Sequence, residues 1–102
     1  MGEFEVFGTD ELTKQLLGLE KREQDWIYKI MRQLKTNPFS GKPLRFDWFR
    51  EKKFENKQLY FVVAKGKKQV LLIAFGDKKK QQKIIDTFWV NREIYQGFAN
   101  QP

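Results

Sequence analysis

The chain has no cysteine and no histidine among its 102 residues. Without thiols there is neither a disulfide framework nor a thiolate metal site. Without imidazole a zinc ion would have carboxylates alone to hold it, which argues against a metalloenzyme, and no metal or cofactor is expected. Ser-His-Asp and Cys-His catalysis are excluded by the same absence. No apolar run approaches the length of a membrane span. The opening Met1-Gly2-Glu3-Phe4-Glu5 lacks the basic and apolar parts of a signal peptide. A soluble cytoplasmic protein is the expectation. The chain also shows no internal repeat and no low-complexity stretch.

What is present is apolar mass and positive charge. Hydrophobic residues make up 40% of the chain, with ten Phe, three Trp and three Tyr, enough for one packed core and too much for a disordered chain. The length fits a single domain over residues 1–102. The net charge of +7 is unevenly placed. From Lys42 to Lys83 there are thirteen Lys and Arg against four acids, whereas the rest holds seven against nine. A domain that gathers cations on one part of its fold usually manages a polyanion, most often nucleic acid.

The pattern of apolar residues orders the elements. Glu3 to Phe7 reads as a short strand, and Gly8-Thr9-Asp10 as a turn with Thr9 or Asp10 as N-cap. Leu12, Leu16, Leu17 and Leu19 form a helical stripe interrupted at Gly18. Trp26, Ile27, Ile30, Met31 and Leu34 form the apolar face of a second helix, which Asn37-Pro38 ends because the residue before proline leaves helical ψ. Residues 37–43 read as a loop. A strand is predicted from Leu44 through Phe49 to Phe54, a turn at Glu55-Asn56-Lys57, and a strand from Leu59 to Ala64. A hairpin turn at Lys65-Gly66-Lys67 then leads to a strand from Gln69 to Phe75. Ile84, Ile85, Phe88 and Trp89 predict a last helix to about Tyr95, followed by a frayed tail over 97–102. The order is β-α-α-β-β-β-α, an α+β domain in which an antiparallel meander packs against a helical hairpin.

Within this frame Gly41-Lys42-Pro43-Leu44, then Phe49-Arg50-Glu51-Lys52 with Lys57 and Tyr60-Phe61, resemble the RelE/ParE toxin superfamily. So does Val70 to Phe75 closed by Gly76-Asp77-Lys78-Lys79. The likeness is greatest to archaeal-type members, through Arg50-Glu51-Lys52 and Lys78-Lys79-Lys80-Gln81-Gln82, and the element order agrees over nearly the whole chain. The resemblance implies a RelE-like fold and the toxin half of a type II toxin–antitoxin pair, with a cognate antitoxin and ribosome-bound mRNA as partners. It implies a metal-independent endoribonuclease that cleaves by 2′-OH attack. The alternative is a ParE-type DNA gyrase inhibitor, or a toxin-like binding module without catalysis.

Such cleavage needs a base for the 2′-hydroxyl, an acid for the leaving 5′-oxygen and cations for the phosphorane. By the resemblance, Arg50 and Lys57 fall at positions of phosphate contact and proton transfer, and Lys78 at an arginine that stabilises the transition state. Gln82 stands near a tyrosine of many active members. The catalytic set expected is Arg50, Lys52, Lys57 and Lys78, with Lys53, Lys79 and Gln82 binding RNA. Crowding by like charge would lower a lysine pKa here. Strand parity puts Arg50, Lys52 and Phe54 on one face and Glu51 and Lys53 on the other. If Trp48 shares the face of Phe54, that face is either a base-stacking surface or part of the core. Lys65, Lys67 and Lys68 are expected to be solvated turn residues, and Trp26, Ile27, Ile30 and Met31 to be core. Trp89 or Phe98 is the candidate for a partner surface, with an antitoxin segment as its occupant.

Overall fold

A computed structural model describes residues 3–100. In chain order the elements are β1 (Glu5–Gly8), α1 (Asp10–Leu17), α2 (Lys21–Thr36), β2 (Lys42–Pro43), β3 (Phe49–Phe54), β4 (Lys57–Ala64), β5 (Gln69–Asp77), α3 (Lys78–Val90) and α4 (Arg92–Asn100). The α+β architecture read from the sequence holds, with two additions: the short β2, at the end of the stretch read as a loop, and α4. The sheet order is β1-β5-β4-β3-β2; β2 to β5 are antiparallel, and β1 lies parallel to β5 at the far edge.

The helices on the first face start and stop where side-chain chemistry directs. The Thr9 hydroxyl accepts the Leu12 N–H at 3.2 Å as N-cap of α1, and Gly18 caps its end. Glu20 precedes α2, and the Glu23 carboxylate accepts the Glu20 N–H at 3.3 Å, which supplies partners to a helix start that has none within the helix. Asn37 ends α2 before buried Pro38. Leu12, Ile27, Ile30 and Leu34 from these helices pack on Leu59, Phe61, Val63, Val70, Leu72 and Phe75 of the sheet.

A bulge sets the register between β4 and β5. Tyr60 pairs with Ala74 and Phe61 with Leu72, so Ile73 is extra. Leu72 and Phe75 consequently face α1 and α2, while Ile73 and Ala74 both face the other side. Beyond the end of β1 the outer edge of β5 is completed by α1. The Thr9 hydroxyl donates to the Ile73 carbonyl at 2.9 Å, and the Gln15 amide bridges the Phe75 C=O and N–H at 2.9 and 3.0 Å. One side-chain amide thus substitutes for a strand residue.

The second face is covered by α3 and α4. Phe88 stacks on Phe49 with centroids 3.7 Å apart and meets Tyr95 at 5.3 Å; Tyr60, Val62, Ile73, Ala74 and Ala99 complete this core. Several sequence expectations change here. Leu44 to Trp48 is not strand: the chain folds back, with the Leu44 N–H on the Phe49 carbonyl and the Phe49 N–H on the Phe46 carbonyl. Parity is lost across that fold, so Trp48 joins the second core and Phe54 the first. Lys57 opens β4 rather than lying in the turn, which is Glu55-Asn56 with Glu55 at φ 55°. The last helix is two, broken at Asn91, and residues 97–100 are helical with Ala99 buried rather than frayed. Gln101 and Pro102 lie outside the described residues.

Candidate nucleic-acid interface

Three of the four expected catalytic cations turn to the α2 side and are engaged there. In β3, Arg50 and Lys52 pair with Phe61 and Leu59, both first-core residues, so their side chains share that face. Arg50 is a loop anchor. Its guanidinium donates to the Gly41 carbonyl at 3.1 Å and to the Asp47 carbonyl and carboxylate at 2.8 and 3.0 Å, and it lies over Phe39, with its side chain only 10% exposed. A guanidinium satisfied by its own loop is not presented to a phosphate in this arrangement.

Lys52 donates to the Gln33 amide oxygen of α2 at 2.5 Å. Burial lowers its pKa, so desolvation is the cause here and not the crowding by like charge expected from the sequence. Lys57 pairs with the buried carboxylate of Glu23 at 2.5 Å. That contact is the main reason the Glu23 pKa is lowered despite its burial. Lys57 nevertheless lies opposite Asp77 in the β4–β5 register, which brings it to the end of the sheet where Lys78 begins α3.

The opposite face collects a different set. Lys42 pairs with Glu51, Glu51 with Tyr60, and Tyr60 with Ala74, giving one row across four strands. The next row is Lys53, Gln58 and Gly76. Over both rows pass the first turns of α3. A side chain at Gly76 would meet the Lys80 Cβ and Ile84 Cδ1 at 3.1 Å, so glycine lets the helix approach the strand.

The polar atoms beneath α3 are not internally satisfied. Among the described residues Glu51 Oε2 and Gln58 Oε1 are buried without a hydrogen-bond partner, and the Tyr60 hydroxyl, also buried, has only the Gln81 side chain within reach. Desolvation raises the Glu51 pKa, against the opposing pull of Lys42 and Lys53. Desolvation and the nearby Glu51 charge push the Tyr60 phenol up to about 12. A buried, unpaired polar group costs roughly 1–3 kcal/mol. Such atoms in adjacent rows make this part of the sheet a candidate site.

At the sheet end, Lys78, Lys79 and Lys80 form the first turn of α3, which is capped by the Asp77 carboxylate accepting the Lys80 N–H at 3.2 Å. All three are exposed. Lysines in a first helical turn oppose the helix dipole. Lys53 is exposed as well, and among the described residues none of these four makes an ion pair. Gln82 is exposed and donates to Asp86 at 2.9 Å along its own helix. Lys14, Lys57 and Lys80 line a cleft between the end of α1 and the start of α3. Among the described residues no group of three or more acidic side chains is placed to hold a metal ion, and no helix is long and apolar enough to cross a membrane.

The structure thus brings Lys53, Lys57, Lys78 and Lys79 toward one end of the sheet and leaves Arg50 and Lys52 on the α2 face. Glu51, Gln58 and Tyr60 were missed from the sequence. Strand alternation put Glu51 opposite Arg50, but choosing the functional face required knowing which side α2 occupies.

No protein-family model matches the chain, and a comparison with curated proteins finds no match. Solved structures do match in fold. The RelBE2 toxin–antitoxin complex from Mycobacterium tuberculosis aligns at TM-score 0.65 and 18% identity, covering 74% of this chain and 99% of that one. A doubly substituted E. coli RelE toxin in the free state aligns at TM-score 0.70 and 16% identity, covering 84% and 93%. The archaeal RelE–RelB complex from Pyrococcus horikoshii aligns at 0.67 and 13%, covering 74% and 96%. The chain has the RelE-like fold.

Proposed function

We propose that this protein is the toxin of a type II toxin–antitoxin module and cleaves ribosome-bound mRNA in the cytoplasm without a metal, held in check by a cognate antitoxin. The observation that supports catalysis is the half-buried Glu51 carboxylate, one oxygen of which is covered and unpartnered among the described residues, set between Lys42 and Lys53. Glu51 is the base in this reading. A carboxylate with a raised pKa is better matched to removing a proton at neutral pH than an ordinary one.

The 2′-oxygen gives its proton to Glu51 and bonds to phosphorus, and the bond to the 5′-oxygen breaks. The products are a 2′,3′-cyclic phosphate and a free 5′-hydroxyl. Lys53 and Lys78 stabilise the charge on the phosphorane. An ammonium, protonated at neutral pH, returns a proton to the leaving oxygen. Lys79 and Lys80 hold the flanking backbone. Arg50, Lys52 and Lys57 act as supports: one fixes the loop beside β3, and two tie the sheet to α2.

A second reading, a toxin-like binding module without cleavage, is favoured by one observation: the Tyr60 side chain is fully covered. Inducing the wild-type chain and Glu51→Gln in cells, with primer extension on cellular mRNA, separates the two. Cleavage by wild type and its loss in Glu51→Gln is expected. No new 5′ ends from the wild-type protein would leave the binding module. A parallel supercoiling assay covers gyrase inhibition.

A further inference from the structure

Beside the Glu51 row lies a second feature that the cleavage chemistry does not use. The folded-back segment 44–48 and the outer side of α3 enclose an open groove of about 290 Å³, lined by Lys42, Pro43, Leu44, Arg45, Phe49, Ile85, Phe88 and Trp89. Its most exposed aromatic wall is Trp89, which stays 39% exposed. The Arg45 and Arg92 guanidinium carbons each lie 4.9 Å from the Trp89 ring centroid. Phe46 is nearly parallel to Trp89, at 14° and 6.4 Å, and to Trp48, at 8° and 4.7 Å.

The Trp89 ring leaves part of its flat apolar surface open to a ligand, and its surroundings point to the kind. No acidic residue lines the groove. Among the described residues Lys42, Arg45 and Arg92 make no ion pair. Lys42 has the Glu51 charge nearby and Arg92 donates to the Trp89 carbonyl at 2.9 Å, whereas Arg45 has the ring alone. Cations beside a flat ring are the pairing used to bind single-stranded nucleic acid, ring against base and cation against phosphate. Lys42 belongs both to the groove and to the Glu51 row, so the groove opens next to the proposed scissile position.

We infer that this groove holds a nucleotide of single-stranded RNA flanking the cleaved bond. The base stacks on Trp89 in place of one of the two guanidiniums now over the ring, and Arg45, Arg92 and Lys42 contact the backbone. The inference rests on the proposed RNA substrate, yet its test is separable. Fluorescence anisotropy with a labelled single-stranded RNA octamer, and with an abasic octamer of equal charge, reads base stacking alone.

Trp89→Ala in the full chain is expected to weaken binding of the RNA about tenfold while leaving the abasic octamer unchanged, and Trp89→Phe is expected to restore most of the loss. Lys78→Ala is expected to weaken both probes equally. Unchanged RNA affinity in Trp89→Ala, or equal loss for both probes, overturns the stacking site even if wild type cleaves mRNA. Displacement of an acidic, leucine-rich peptide from wild type but not from Trp89→Ala, with RNA affinity unaltered, overturns it in favour of a protein partner. Trp89-dependent RNA binding without mRNA cleavage keeps the groove and overturns the nuclease reading.

Discussion

Two carboxylates of this protein, Glu23 and Glu51, titrate in opposite senses for opposite physical reasons. Glu23 is buried but paired with Lys57, so its pKa is lowered. Its stabilisation is fully present above the ordinary carboxylate value and is lost as the pH falls through the depressed one. Lys57→Ala is expected to cost about 2 kcal/mol, less than the ~3–5 kcal/mol for breaking a fully buried pair, because the Lys57 side chain is 30% exposed. Urea denaturation between pH 7 and 3 checks this, since the variant should also lose part of the acid-dependent decline.

Glu51 is the reverse. Its raised pKa means that stability is fully present while the carboxyl is protonated and declines as the pH rises through the raised value. Glu51→Gln is therefore expected to raise the melting temperature at pH 7, with the gain vanishing on acidification to the ordinary carboxylate range. The same variant should abolish mRNA cleavage. A rise in stability that accompanies a loss of activity is the signature of a residue kept for chemistry. Thermal melts across pH and primer extension read the two halves.

Among the elements, the edges depend most on single side chains. Gln15→Ala removes both partners of the Phe75 backbone and is expected to cost about 1–3 kcal/mol, with faster hydrogen exchange at the Phe75 amide. Gly41 is constrained by close approach. A Cβ there would lie 2.6 Å from the Glu51 carbonyl and 2.8 Å from Phe61 Cζ. Gly41→Ala must push the loop off β3 and disturb the Arg50 anchor, so a loss of about 1–3 kcal/mol is expected from overpacking. Chemical denaturation would show it, and hydrogen exchange should locate the change in 39–51.

Helices α1 and α2 and strands β4 and β5 were legible because local period and capping chemistry agree in each. The segment 44–48 was not. Its Leu44, Phe46 and Trp48 alternate as in a strand, yet all three pack toward the second core while the chain turns back. Alternation alone cannot distinguish a straight strand from a folded one that aims the same side chains at one core.

For the molecule as a whole, the excess charge found in the sequence becomes a surface property only after the fold separates engaged cations from free ones. Arg50, Lys52 and Lys57 have partners, whereas Lys53 and Lys78 to Lys80 make no ion pair among the described residues. On the proposed function, binding to single-stranded RNA should therefore weaken with salt. Lys78→Ala combined with Lys79→Ala is expected to lower the magnitude of the log–log slope by about 1.4, at roughly 0.7 for each phosphate no longer neutralised. Lys65→Ala with Lys68→Ala, at the distant hairpin turn, should leave the slope almost unchanged. Anisotropy titrations at several salt concentrations compare the two pairs.

The sequence by itself determined the chemistry that is possible: no thiol, no imidazole, and a cationic half able to face a polyanion. The one core expected became two, one on each face of the sheet. It also determined the succession of helices and central strands, because period, caps and turn residues act over a few positions. The tertiary structure decided which of those groups meet. Pairing of β1 with β5 joins residues 64 apart, as Glu5 with Gln69, and no local signal encodes so distant a register. The same holds for the choice of face. Whether Arg50 or Glu51 looks toward a substrate depends on where α2 and α3 pack. That is settled by the burial of side chains from both ends of the chain against one sheet.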